Sequence, residues 1–202
     1  MLFSSNIFRQ GIVVLDKQLS PHFCSRVISK FEEGFEMAPG LAGNRREPKV
    51  KQSSDLCLSS DPEKWAVEDQ TFNESLANAR IKYFEIVQKR IPGMNGTFGE
   101  FDTGYQIQRT TPGGFYDWHH DACNSRRLTF IWYLNDINSG GYTEFIDGTK
   151  VRPRTGRLLL FPATTQYRHR GVAPKKDIKY IVTGWLYDKL WADPILFNRS
   201  GL

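Results

Sequence analysis

The chain has 202 residues, of which 40% are hydrophobic, 13% aromatic and 24% charged. That is the length of one ordinary domain with ample core material, which excludes a short motif peptide and a globally disordered chain. The formal net charge is +5; residues 1–100 balance at 13 Lys+Arg against 13 Asp+Glu, and residues 101–202 hold the excess at 14 against 9. A basic half can attract nucleic acid or an acidic partner, but a solvated basic face is the commoner cause, so nucleic acid is not the expected partner.

In chain order, Gln10 to Leu15 reads as a short strand. Ser20 followed by Pro21 is a helix-start signal, and Phe23, Val27, Ile28 and Phe31 then share one helical face that ends near Gly34. Residues 37–60 are mixed and rich in Gly, Ser and Lys, which predicts loop with one short strand at most and makes them a candidate lid. Asp61-Pro62 is a second start signal, and a longer helix is expected from about Thr71 to Arg90, with Phe72, Leu76, Ala79, Tyr83, Phe84 and Val87 as its apolar stripe and Pro92-Gly93 as its end.

From Phe101 to Asp188 the texture changes to short β-rich runs. The expected strands are Tyr105–Arg109, Phe115–Asp121, Leu128–Leu134, Tyr142–Phe145, Arg157–Phe161, Tyr167–Val172 and Lys179–Leu186, punctuated by Pro112-Gly113-Gly114, Gly140-Gly141, Asp147-Gly148 and Ala173-Pro174. Many short strands at this spacing predict a sandwich or jelly roll. The expected organisation is one α+β domain. Residues 1–95 give helical support with short strands, 96–190 the β core and 191–202 a C-terminal tail.

Cys24, Cys57 and Cys123 are far apart, odd in number and without a CxxC pair. A disulfide framework or cysteine zinc site is therefore not expected, and buried reduced thiols in a cytoplasmic protein are. The N-terminal text has neither a basic region nor a long apolar run, so no signal peptide is expected. No apolar stretch approaches a membrane span, so no membrane partner is expected. Oligomeric state is silent in the sequence.

Only four histidines are present. His119 and Asp121 stand two apart on an expected strand, so their side chains share a face and can grip one cation, while His120 points the other way. His169, on a later strand, offers a third ligand. Two histidines and one carboxylate make a facial triad with open positions, as oxygen-activating iron requires. His-x-Asp alone is a weak signal. On the last expected strand Lys179, Ile181, Thr183 and Trp185 share one face by strict alternation. A lysine there needs an anion, or else sits at a wet strand end.

The segments PGGFYDWHHD, RRLTFIWYLND, GGYTEF, GRLLLFP, HRGVAP and KYIVTGWL stand in this order between Tyr105 and Asp188. In order and spacing they resemble the prolyl 4-hydroxylase-like branch of the Fe(II)/2-oxoglutarate-dependent oxygenases, over about two-fifths of the chain. The resemblance implies a double-stranded β-helix (jelly roll) core with N-terminal supporting helices. It implies iron held by His119, Asp121 and His169. It places Lys179 and Tyr133 on the far carboxylate of 2-oxoglutarate, with Thr183 and Trp185 lining the same cavity and Tyr116 and Arg127 near the substrate. Thr110 stands where relatives carry a tyrosine that contacts 2-oxoglutarate, and its hydroxyl reaches less far.

The implied activity is hydroxylation of a C–H bond with Fe(II), 2-oxoglutarate and O2, forming succinate and CO2, with ascorbate as a further candidate cofactor. A peptide or protein substrate comes first, at peptidyl proline; another protein side chain, a free amino acid or a small metabolite follow. Two readings compete from other classes. One is a zinc hydrolase, which lacks an HExxH-like general base here; the other is a non-catalytic binding module on the same fold.

Overall fold

The computed structural model of the chain describes residues 8–9, 11–33, 37–43, 45–91, 99, 101–123 and 125–187. In chain order these form strands β1 (Phe8–Arg9) and β2 (Ile12–Leu15), helix α1 (Pro21–Glu32), strands β3 (Ala38–Pro39) and β4 (Ser54–Cys57), and helix α2 (Pro62–Arg90). There follow β5 (Phe101–Asp102), β6 (Gln106–Thr110), β7 (Tyr116–His119), β8 (Arg126–Tyr133), β9 (Thr143–Phe145), β10 (Lys150–Val151), β11 (Arg157–Pro162), β12 (His169–Gly171) and β13 (Lys179–Tyr187). The expected tail at 191–202 and the expected helix ends at Gly34 and Pro92-Gly93 lie outside the described residues.

Both helices start where their capping chemistry says they should. The Ser20 side chain accepts a hydrogen bond from the Phe23 amide with Pro21 in the first turn, and Asp61 accepts one from the Lys64 amide ahead of Pro62. Asp61-Pro62 therefore begins the long helix itself, nine residues before the start expected at Thr71. The apolar period is diluted there by Glu63, Lys64, Glu68 and Asp69, yet Trp65 and Glu68 belong to the buried stripe with Phe72, Leu76, Ala79, Tyr83 and Val87. Glu68 tolerates burial because Lys30 of α1 lies 2.6 Å away and Arg26 3.4 Å away. This ties the two helices together.

Two antiparallel sheets face each other. The large one has nine strands in the order β1-β2-β11-β8-β13-β6-β4-β3, with β5 beside β13; the small one has the order β10-β9-β12-β7. Strands β6 to β13 step between the two sheets, which is the double-stranded β-helix expected from the sequence. Alternation along the strands decides what faces where. On β8, Leu128, Phe130 and Trp132 join the core formed with α1 and α2. Ile131 and Tyr133 instead join Val14, Phe145, Phe161 and Ile181 between the sheets. Gly184 sits where the layers touch: a Cβ there would lie 2.4 Å from Phe130 Cζ and 2.7 Å from the Gly104 carbonyl.

The segment 37–60 is less free than a lid. Strand β4 pairs with β6 from Ser54↔Arg109 to Cys57↔Gln106, so its second half is part of the large sheet. Cys24 is buried, and burial pushes its thiol up to about 11. Cys57 and Cys123 are exposed, against the expectation of three buried thiols. Among the described residues no helix is long and apolar enough to cross a membrane.

Candidate metal and cosubstrate site

His119 is the last residue of β7 and His169 the first of β12, and the two pair directly across the small sheet. Their rings lie 4.2 Å apart. Asp121 follows just past the end of β7 and turns inward, while His120 is exposed. The ligand atoms of His119, Asp121 and His169 all lie within 4.8 Å of one another. Each imidazole has its Nδ1 near a backbone carbonyl two residues earlier, 2.7 Å from Asp117 O and 3.0 Å from Tyr167 O. A donated Nδ1–H there leaves both Nε2 atoms free as ligands. Those Nε2 atoms sit 3.9 Å and 3.7 Å from the two oxygens of Asp121.

The electrostatics suit a cation. Burial and the neighbouring His169 push His119 down to about 4, so its imidazole is neutral at physiological pH, the form that binds metal. Burial alone would raise Asp121. His169, His119 and the Thr129 hydroxyl, which donates to Oδ2 at 2.7 Å, outweigh it and hold the carboxylate below its ordinary range. The indole N–H of Trp185 is buried without a hydrogen-bond partner and is close enough to lower Asp121 further. A buried carboxylate facing two imidazoles, with no lysine or arginine paired to it among the described residues, is an unfinished charge arrangement that a divalent ion completes.

The triad opens into a cavity of about 70 Å³, lined also by Lys51, Thr110, Tyr116, Lys179, Thr183 and Trp185. Lys179 is 5% exposed, has no ion-pair or hydrogen-bond partner among the described residues, and is pushed down to about 8 by burial. An orphaned ammonium at the inner end of a polar cavity fits the far carboxylate of a dicarboxylate. Thr110 pairs with Lys179 across β6 and β13 and lines the same space. Thr183 also lines it, its hydroxyl donating to Phe130 O at 2.9 Å.

Other expected site residues fall differently. Tyr133 is fully buried and does not line the cavity; its hydroxyl is 2.7 Å from Thr143 Oγ1, and Thr143 is the residue on the wall. Tyr116 lines the cavity and stacks on His119 at 3.6 Å with 14° between planes. Burial lifts its hydroxyl to about 12. Arg127 is exposed on β8 and off the cavity. The neighbouring Arg126 does not line the cavity either; its guanidinium lies 3.6 Å over the ring of Trp185, which does, and its Nε donates to Tyr187 Oη at 3.0 Å. The pairing of β8 with β13 shifts register between Leu186 and Tyr187, beside these two arginines. Sequence reasoning also missed Lys51, Ser53 and Gln108. Residues 51 and 53 come from a stretch without periodicity, and the Lys51–Tyr116 bridge together with the pairing of β4 with β6 brings it to the site.

Comparison with known proteins agrees with this geometry. Residues 105–187 match the family model of the 2OG-Fe(II) oxygenase superfamily. A candidate prolyl 4-hydroxylase of Acanthamoeba polyphaga mimivirus is 28% identical over 107 residues, which is 42% of this chain and 44% of that protein. The chain thus spans less than half the length of this relative. Among solved structures, the viral collagen prolyl hydroxylase of Paramecium bursaria Chlorella virus-1 in its 2OG complex superposes with TM-score 0.62 at 20% identity, covering 89% of this chain and 97% of that one. A prolyl-4-hydroxylase of Pseudomonas putida gives 0.62 at 19%, covering 88% and 92%. A Trichoplax adhaerens prolyl hydroxylase in complex with a hypoxia-inducible-factor peptide fragment gives 0.66 at 21%, covering 88% and 84%. Residues 105–187 are thus similar to a 2OG-Fe(II) oxygenase domain. The fold around it is that of the prolyl hydroxylases.

Proposed function

We propose that this chain is an Fe(II)- and 2-oxoglutarate-dependent dioxygenase that hydroxylates peptidyl proline and forms succinate and CO2. The observation that carries the reading is one cavity holding both a His119–Asp121–His169 cluster and the orphaned ammonium of Lys179. Iron bound by the three ligands would supply O2 activation coupled to oxidative decarboxylation of 2-oxoglutarate. The protein's own part is placement. Lys179 takes the far carboxylate of 2-oxoglutarate and fixes its direction, with Thr183 and Thr110 beside it. Thr129 and Trp185 hold the Asp121 carboxylate ionised. Tyr116, stacked on His119, and Trp185, stacked under Arg126, form the walls between which a substrate residue would sit.

A peptide substrate is supported by the likeness to the Trichoplax adhaerens enzyme, whose structure holds a peptide fragment, and by the aromatic walls of the cavity. The zinc-hydrolase reading loses ground here, because Asp121 is the sole acid lining the cavity among the described residues and no second carboxylate is placed as general base. We also assign the protein to the cytoplasm, on the support of its three free cysteines.

The test is direct. The purified protein with Fe(II), ascorbate and 2-oxoglutarate should form succinate, faster with a proline-containing peptide that gains one oxygen by mass. Absence of both Fe(II) binding and 2-oxoglutarate turnover would end the reading.

A further inference from the structure

We propose that Lys51 and the groove beside it recognise an acidic side chain of the substrate, close in sequence to the residue that is oxidised. The inference rests on the peptide-hydroxylase reading above and names the class of peptide.

Lys51 is held against the site by backbone pairing. It bridges Tyr116, the Gln52 amide donates to Phe115 O at 2.7 Å, and the Asp117 amide donates to Val50 O at 2.8 Å. Its side chain is 4% exposed and its ammonium lies 5.1 Å over the Tyr116 ring. The single acceptor it meets is Asp55 Oδ2, at 2.6 Å. Asp55 is better satisfied than Lys51, because Ser53 Oγ donates to Oδ1 at 2.7 Å. An ammonium has three hydrogens to give, so two remain without a protein acceptor at a place where water is scarce. Unmet donors of a charged group cost stability and reward an incoming acceptor.

The space beside Lys51 has a distinctive lining. Lys51 and Ser53 form the partition between the catalytic cavity and a neighbouring surface groove. The groove is lined by Arg46, Lys51 and Arg109 and, among the described residues, by no carboxylate. The acids that pair with these cations, Asp55 with Lys51 and Glu32 with Arg109 at 2.9 Å, do not line it. Arg46 is exposed. Gly40 packs closely on this partition, where a Cβ would lie 2.9 Å from Lys51 Cε and 2.2 Å from Ser53 Oγ. Three cations on the wall of one groove create a positive potential that favours a carboxylate over an amide of the same shape. Lys179 already serves the inner end of the cavity. The second ammonium stands at the junction with the groove, on the route of the primary substrate.

The experiment is fluorescence anisotropy of short labelled peptides with the protein loaded with Fe(II) and 2-oxoglutarate under nitrogen. Four peptides are compared, identical except for proline or alanine at the centre and glutamate or glutamine in the flanking positions. The glutamate peptides should bind roughly tenfold tighter than the glutamine ones, with the preference fading in high salt. Lys51→Met should abolish that preference while leaving 2-oxoglutarate affinity unchanged. Arg46→Ala, an exposed substitution that leaves the fold alone, should cut the preference by about threefold and decides the matter should Lys51→Met fail to fold. Equal binding of glutamate and glutamine peptides overturns the proposal. So does a preference that survives Lys51→Met, or a rise in the 2-oxoglutarate requirement, which would assign Lys51 to the cosubstrate. The proline–alanine comparison reports separately on the peptidyl-proline reading: a glutamate preference with no proline preference sinks that reading and sustains this one.

Discussion

Asp121 is a buried carboxylate with two imidazoles and one hydroxyl for company, so its value to the protein is as a metal ligand. Asp121→Ala should abolish Fe(II) binding measured by calorimetry, whereas His120→Ala, at an exposed position next to it, should bind within about twofold of the parent. Equal loss in both would break the assignment of faces. Lys179 carries a second prediction, with a sign that can be worked out. Burial lowers its pKa from 10.5 to about 8, so between those values the unfolded chain binds the extra proton. The protein without 2-oxoglutarate should therefore gain stability as pH rises from about 8 towards 10.5, by about 3 kcal/mol at most. Lys179→Met should remove this pH dependence, melt no lower than the parent, and raise the 2-oxoglutarate requirement more than about tenfold. Urea unfolding across pH with and without 2-oxoglutarate checks all three. At this scale the sequence was informative where parity along a strand was regular, as for Lys179, Ile181, Thr183 and Trp185. Arg127, which resemblance and not parity placed near the substrate, is exposed beside the register shift at Leu186/Tyr187, while Arg126 packs on Trp185.

Helix α2 acts on the site through the sheet it supports. Phe72 is fully buried, 5.3 Å from the rings of both Phe23 and Trp132 and 5.4 Å from Tyr105. Phe72→Ala should cost about 3–5 kcal/mol in urea unfolding. The folded fraction should still bind Fe(II), since no triad residue touches the helix. Strands with regular alternation and turn residues at both ends, β6 to β9 and β11 to β13, were legible from the sequence to within a few residues. The two-residue strands β3, β5 and β10 were not, because two residues carry no period. Segment 37–60 looked like a lid because its composition is loop-like. Its pairing with β6 is a property of the partner strand, which no local pattern announces.

Across the whole molecule, the site exists because two sheets converge on it. The small sheet supplies His169 and the His119–Asp121 run, and the large sheet supplies Lys179, Thr183 and Trp185. A bound metal therefore cross-links the end of β7 to the start of β12. Chelation should lower the melting temperature. Adding Fe(II) or Mn(II) should raise it in proportion to the logarithm of free metal, and Asp121→Ala should show no such response. Differential scanning calorimetry at several metal concentrations reads this directly.

The sequence by itself determined the period-two faces of the strands, the two helix caps, and which residue types stand ready as ligands, because these follow from local backbone geometry and side-chain chemistry. His119 and Asp121 were tied together by nothing more than their spacing. Tertiary structure decided that His169 lies opposite His119, that Tyr133 stops at Thr143, that Arg126 packs on Trp185, and that Lys51 enters the cavity wall at all. Those facts depend on register between strands far apart in sequence, which is set by the packing of two sheets and a helix layer as one core.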